Sequence, residues 1–324
     1  MDDLTAAFSV IITDPADYLI VKETRDSIAD FLKHRRDDQI RICYMREALV
    51  PDFNLFDYAF GFDPLQFGDR YMRLHTLKNK SSTLRFGDIF AAKDAGALFD
   101  SHSRFCNFIY SNPKAHPNRD KFFNMLSQYK KVDSLGHHLT NTASTILRHD
   151  YRDNWRELKV NAQKEYKFSI AFENASHRGY TSEKLITAMV AGSVPIYWGN
   201  PDVSAEFNTE AFVSCHEYAS FDEVVSRVIE LDQNDELYRE ILGKPWLTAE
   251  QCEQHRRSED DLRGFVRAIF GQELTEARRR GEGYWNSIYE EEYAQRFGEG
   301  AKAGQGARSA VRRVLSRAKR LSNS

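Results

Sequence analysis

Between residues 168 and 199 the chain alternates in an order that few folds accommodate. An apolar run, Phe168 to Phe172, opens into a polar loop. Thr181 and Ser182 then offer capping hydroxyls to a stretch with helical apolar spacing, residues 183–191. A second apolar run, Val194 to Trp198, closes on Gly199. Strand, loop, helix, strand is the repeat of a parallel α/β sheet, because parallel neighbours need a crossover and the usual crossover is a helix. The same order occurs near the start. A strand is predicted over 17–21 and a surface helix over 25–38, with Ile28, Phe31 and Leu32 on one face. A second strand follows over 40–44. Residues 48–69 are aromatic and turn-rich without a period, and read as loop with short strands. A further α/β region begins near Arg104, with a strand over 105–110, a turn at Ser111-Asn112-Pro113 and a helix over 119–129. Residues 221–242 and 258–270 read as helices, and Trp285, Ile288, Tyr289 and Tyr293 form a helical stripe.

A chain of 324 residues that is 41% hydrophobic can fill two cores of ordinary size. It contains no run of about 20 apolar residues of the kind that spans a bilayer. Its first residues, Met1-Asp2-Asp3-Leu4, lack the basic region of a signal peptide, so a cytoplasmic location is expected. The four cysteines (Cys43, Cys106, Cys215, Cys252) are far apart and form no CxxC pair, which suits reduced thiols and argues against a zinc site. The formal charge of −3 is unevenly spread. Residues 301–324 hold seven of the 45 basic residues and no acid, which leaves 38 against 48 and −10 for the rest. An acidic body makes nucleic acid an unsuitable partner.

In open α/β sheets ligands bind beyond the carboxyl ends of the strands, and a helix N-terminus there offers N–H groups and positive partial charge to phosphate. Lys184 falls in the first turn of the 183–191 helix, where a cation is unfavourable to the helix dipole. Either an anionic ligand balances it or it is a solvated surface lysine beside Glu183. No GxGxxG or P-loop pattern is present.

Three segments together carry a resemblance. Phe172-Glu173-Asn174, Tyr180 to Lys184 and Val194 to Gly199 closely resemble the signature of α-1,3-fucosyltransferases, glycosyltransferase family 10. Pro51 to Asp63 with Asp69 to Arg73 resembles that family's N-terminal motif, and Ser111 to Pro113 with Arg119 and Tyr129 to Ser134 its central one. The resemblance runs from about Asp14 to about Ala211. It implies a GT-B fold, two Rossmann-like domains facing across a cleft. The expected division is an acceptor-side domain over 1–104, a donor-binding domain over 105–272, a helical segment over 273–300 and a basic tail over 301–324. The family has an opening strand and helix before the segment that matches Asp14 to Val21, so the N-terminal sheet is expected to lack its first strand-helix unit.

The resemblance further implies inverting transfer of L-fucose from GDP-β-L-fucose to a hydroxyl, O3 of an N-acetylglucosamine unit in a bacterial surface glycan such as lipopolysaccharide. No metal is obligatory, a divalent ion being at most stimulatory. Such a displacement needs a carboxylate to take the acceptor proton and cations to balance the departing diphosphate. Glu47 occupies the position of the family's proposed base. Arg119 and Lys184 match its diphosphate-contacting residues, and Asn174, Tyr180 and Glu183 match residues that hold the donor's ribose, fucose or phosphate. Glu173 and Trp198 read as structural. The loop Ser176 to Gly179 departs from the pattern and bears on donor-sugar preference. Two other readings stay open: a transferase for another nucleotide sugar, and a sugar- or nucleotide-binding protein without turnover.

In the tail, Val311, Val314, Leu315, Ala318 and Leu321 recur at helical spacing opposite Arg312, Arg313, Arg317 and Arg320. That is a basic amphipathic helix suited to an anionic membrane surface, which gives an expected peripheral place on the inner membrane. A disordered tail and a helix packed on a partner remain as alternatives.

Overall fold

The structure, a computed structural model, describes residues 8–11, 13, 15–23, 31–74, 87–90, 92–143, 155–298 and 316–320. The chain divides into two compact units, Met1–Leu74 with Arg257–Ser324, and His75–Arg256. These limits differ from the expected boundaries at 104 and 272. The second break falls inside the long helix Ala249–Phe270.

In the first unit, strand β1 is Phe8–Ile11. Strands β2 (Tyr18–Glu23), β3 (Ile40–Met45), β4 (Tyr58–Gly61) and β5 (Tyr71–Arg73) form a four-stranded parallel sheet in chain order. β3 is buried along almost its whole length, as a parallel strand covered on both faces must be. Its residues alternate between two cores. Ile40 and Ile42 join Tyr18, Tyr58, Ile269 and Phe270, whereas Cys43 and Met45 join Leu19, Val21, Phe31 and Phe56. Of the helix expected over 25–38, Phe31 to His34 is helical and 25–30 lies outside the described residues.

The C-terminal segment is tied to this sheet by buried charge. Asp57, fully buried, accepts hydrogen bonds from the backbone N–H groups of Arg41 (2.7 Å), Arg279 (2.9 Å) and Arg280 (2.9 Å), and pairs with the Arg280 guanidinium. Arg41, also fully buried, donates to Glu290 at 2.7 Å. The helix Tyr284–Gly298 thereby reaches a strand more than two hundred residues earlier.

The second unit holds strands β6 (Arg104–Phe108), β7 (Val132–Ser134), β8 (Tyr166–Phe172), β9 (Val194–Trp198) and β10 (Val213–Ser214). They form one parallel sheet in the order β10-β9-β8-β6-β7. The core is strongly aromatic, with Phe122 stacked on Phe172 at 5.0 Å and Phe105 edge-on to Phe168 at 5.7 Å. The stretch 221–242, expected as one helix, is two. Asn234 interrupts it and caps Asp235–Gly243 by accepting from the N–H groups of Glu236 and Leu237, each at 3.1 Å.

Strand β11 (Ser316–Arg320) pairs antiparallel with β1. The tail was expected to be helical. Over these five residues backbone pairing with a strand edge prevails over helical spacing. Residues 301–315 and 321–324, with Lys302, Arg308, Arg312 and Arg313, lie outside the described residues. The described part of the four-stranded sheet starts at β2, since β1 pairs with β11. No helix among the described residues is long and apolar enough to cross a membrane.

Candidate functional site

The order of the second sheet locates a site before any side chain is considered. From β6 the chain moves outward to β7, then returns to β8 on the other side of β6 and continues to β9 and β10. The connections leaving β6 and β8 therefore run in opposite directions. A crevice opens beyond the carboxyl ends of two such neighbours. A cavity of about 200 Å³ lies there, lined by Ile109 to Asn112 after β6, Asn174 after β8, and Arg119, Trp155, Lys159, Glu183 and Lys184 from three helices.

Arg119 sits in the first turn of the helix Asn118–Tyr129 and is 1% exposed. Its Nη2 donates to the Asn112 carbonyl at 2.7 Å, and its guanidinium lies 4.5 Å from the centre of the Tyr110 ring. Nη1 is buried with no hydrogen-bond partner. An orphaned guanidinium N–H is costly unless a ligand oxygen completes it.

Glu173 organises the opposite wall. It follows β8 and is fully buried. It accepts from the Ser182 N–H (2.7 Å), the Ser182 hydroxyl (2.7 Å) and the Lys184 ammonium (3.0 Å). Lys184 also donates to Ser182 Oγ at 2.8 Å. Gly199 is required for this approach, because a Cβ there would stand 2.3 Å from Glu173 Cγ. Burial alone would lower the Lys184 pKa, but the carboxylates of Glu173 and Glu183 hold it well above the ordinary value. Glu183 responds in kind. Burial would raise it, yet Lys184 and Lys159 pull it down to about 2. Glu183 is thus a fixed acceptor and Lys184 a fixed cation.

The structure brings four of the expected donor-binding residues, Arg119, Asn174, Glu183 and Lys184, to one cavity. Tyr180 is 3% exposed and near enough to raise the Lys184 pKa, but it is not one of the lining residues. Glu47 belongs to the first unit, two residues past the end of β3, and is exposed. In the loop Ser176 to Gly179, Arg178 pairs at the surface with Asp202 at 2.7 Å. Among the described residues no group of three or more His, Cys, Asp or Glu side chains is placed to hold a metal ion. Sequence reasoning missed Lys159. It lies on the helix Trp155–Gln163 and is 7% exposed. No element or motif is expected from sequence over 155–163, and the only signal for Lys159 is its place one turn before Gln163.

The family description "Glycosyltransferase family 10 (fucosyltransferase) C-term" matches residues 99–269, and the N-terminal domain of α-(1,3)-fucosyltransferase FucT matches residues 1–78. The α-(1,3)-fucosyltransferase FucT of Helicobacter pylori is 31% identical over 231 residues, which is 62% of this chain and 46% of that protein. α-(1,3)-Fucosyltransferase B of Drosophila melanogaster is 26% identical over 182 residues, 53% of this chain and 41% of that protein. The chain thus spans less than half the length of these relatives. A crystal structure of an α1,3-fucosyltransferase with GDP-fucose superposes with a TM-score of 0.54 at 20% identity, covering 95% of this chain and 97% of that one. Another, with GDP, gives 0.53 at 24% identity over 76% and 87%. At these identities the likeness shows the fold, the GT-B type of fucosyltransferase structures.

Proposed function

The chain belongs to glycosyltransferase family 10, the fucosyltransferases, and we propose that it transfers L-fucose from GDP-β-L-fucose, with inversion, to O3 of an N-acetylglucosamine unit in a surface glycan. The observation that carries the reading is the cavity at the β6/β8 crevice. Arg119 and Lys184 both line it, and the buried Nη1 of Arg119 has no hydrogen-bond partner.

In the proposed step the acceptor hydroxyl oxygen attacks the anomeric carbon as Glu47 takes its proton. The bond from that carbon to the β-phosphate oxygen breaks, and its electron pair leaves with GDP. Arg119 offers a planar fork to the departing diphosphate and Lys184 a point charge. Cations held in place before the reaction stabilise charge as it develops without reorganising. Asn174, Tyr180 and Glu183 are assigned to the donor's hydroxyls and phosphates, and no divalent ion is required. The seven basic residues of 301–324 support peripheral attachment to an anionic inner-membrane surface, where a lipid-linked acceptor would be found.

The test is transfer from GDP-fucose to a small acceptor panel, with and without chelator, reading the product linkage. Wild type should form an α-1,3 product in both conditions. Glu47→Gln should lower kcat about 10²–10⁴-fold and leave GDP affinity unchanged. Transfer from another nucleotide sugar alone would replace the donor assignment. Thermal stabilisation by GDP without turnover would favour a binding protein.

A further inference from the structure

We propose that Lys159 is a third phosphate-binding cation of the donor site, and that it takes up a proton when a nucleoside diphosphate binds. The inference rests on the cavity being the donor site, and adds to it a residue that the family motifs do not mark.

Lys159 lines the same cavity as Arg119 and Lys184 and is 7% exposed. Its helix is held against the sheet. Gln163, one turn further on the same face and 2% exposed, donates to Ser169 Oγ at 3.2 Å, and Ser169 in turn donates to Ser193 Oγ at 2.8 Å. The charged groups acting on Lys159 come from three elements. Glu183 and Lys184 face it from the helix Glu183–Val190, Glu173 from the end of β8, and Arg156 from its own helix. Arg119 and Tyr110 line the cavity with it.

The negative charge around Lys159 is shared. Glu183 also faces Lys184 and Arg156, Glu173 is engaged by Ser182 and Lys184, and Asp120 pairs with Arg119 at 3.5 Å. A buried lysine in that position is unfavourable to the empty protein, and a methionine would fill its volume without the cost. Burial and the neighbouring cations lower its pKa to about 8 although Glu183 pulls the other way. A diphosphate arriving in the cavity adds negative charge and favours the ammonium. Binding therefore takes up a proton wherever the empty protein has released one, and affinity falls as pH rises past about 8.

The experiment is GDP titration by calorimetry between pH 7.5 and 9, in two buffers of different ionisation enthalpy, on wild type, Lys159→Met and Lys159→Arg. In this range the terminal phosphate is already fully ionised, its last pKa being about 6. Wild type should take up on the order of half a proton at pH 8 and lose affinity at higher pH. Lys159→Met should bind about 10- to 100-fold more weakly at pH 7.5 and take up none. Lys159→Arg, charged throughout, should keep more affinity than Lys159→Met and show a flat profile. Identical pH profiles and proton uptake in all three proteins would overturn the role of Lys159 while leaving the donor site standing. Failure of wild type to bind GDP at any pH would overturn the donor site and this inference with it.

Discussion

Glu173 is a sharp place to perturb the site, because its carboxylate does not line the cavity yet positions Lys184, which does. Replacing it with glutamine keeps shape and removes charge. The carboxylate accepts three hydrogen bonds, from the Ser182 N–H, the Ser182 hydroxyl and the Lys184 ammonium. A glutamine oxygen can serve the backbone N–H, but its NH₂ must then face the other two. The serine hydroxyl can turn to accept, whereas the ammonium cannot. Lys184, 12% exposed at its side chain, keeps a buried charge with Ser182 Oγ as its remaining close partner. Breaking a buried pair from one side costs about 3–5 kcal/mol. At about 2–4 °C per kcal/mol for a domain of this size, Glu173→Gln should lower the melting temperature by roughly 6–20 °C. Because the pair is buried, the loss should persist in high salt. Calorimetric melting of both proteins at low and high salt is the assay. A melting temperature within two degrees of wild type would refute the claim that Glu173 holds Lys184 in place.

Asp57→Asn should be comparably destabilising, by about 3–5 kcal/mol, since it leaves Arg280 buried without its counter-charge; chemical denaturation of the purified variant measures it. Lys159 gives an effect of the opposite sign. Its folded pKa, about 8 against 10.5 unfolded, means that the native state binds fewer protons than the unfolded chain. Lysine therefore costs stability below pH 8, and the cost disappears as pH rises toward 10.5. Lys159→Met should stabilise the ligand-free protein by about 2–4 kcal/mol at pH 7, read as a rise in melting temperature that fades at alkaline pH. Removing residues 301–324 should release the protein from anionic vesicles while leaving donor turnover nearly intact. Binding of the full chain should weaken in high salt, and equal co-sedimentation of the two forms would count against the tail.

What could be read from sequence follows from how local each feature is. Val194–Trp198 is legible as a strand because five consecutive residues are buried on both faces, and Glu183–Val190 because Ser182 caps it and its apolar residues share a face. Arg119 and Lys184 are legible as a pair only through the family motifs. Nothing within either segment says that β6 and β8 are neighbours. Lys159 stays hidden because its partners come from other elements, and one turn of a charged helix carries no sign of burial. The tie between Asp57 and Arg280 is invisible for the same reason: its partners lie more than two hundred residues apart in the chain. In the tail the apolar spacing indicates a helix, and the described part is a strand, because pairing with β1 is also a long-range event.

The central claim is that Arg119 and Lys184 hold the donor's diphosphate. GDP titration on wild type, Arg119→Ala and Lys184→Ala, each first shown to be folded by its melting transition, tests it most directly. The account predicts a loss of about 2–4 kcal/mol in either variant, roughly 30- to 1000-fold in affinity, with guanosine alone binding weakly to all three proteins. GDP bound by either alanine variant as tightly as by wild type would remove that residue from the site, and the same result in both would contradict the account.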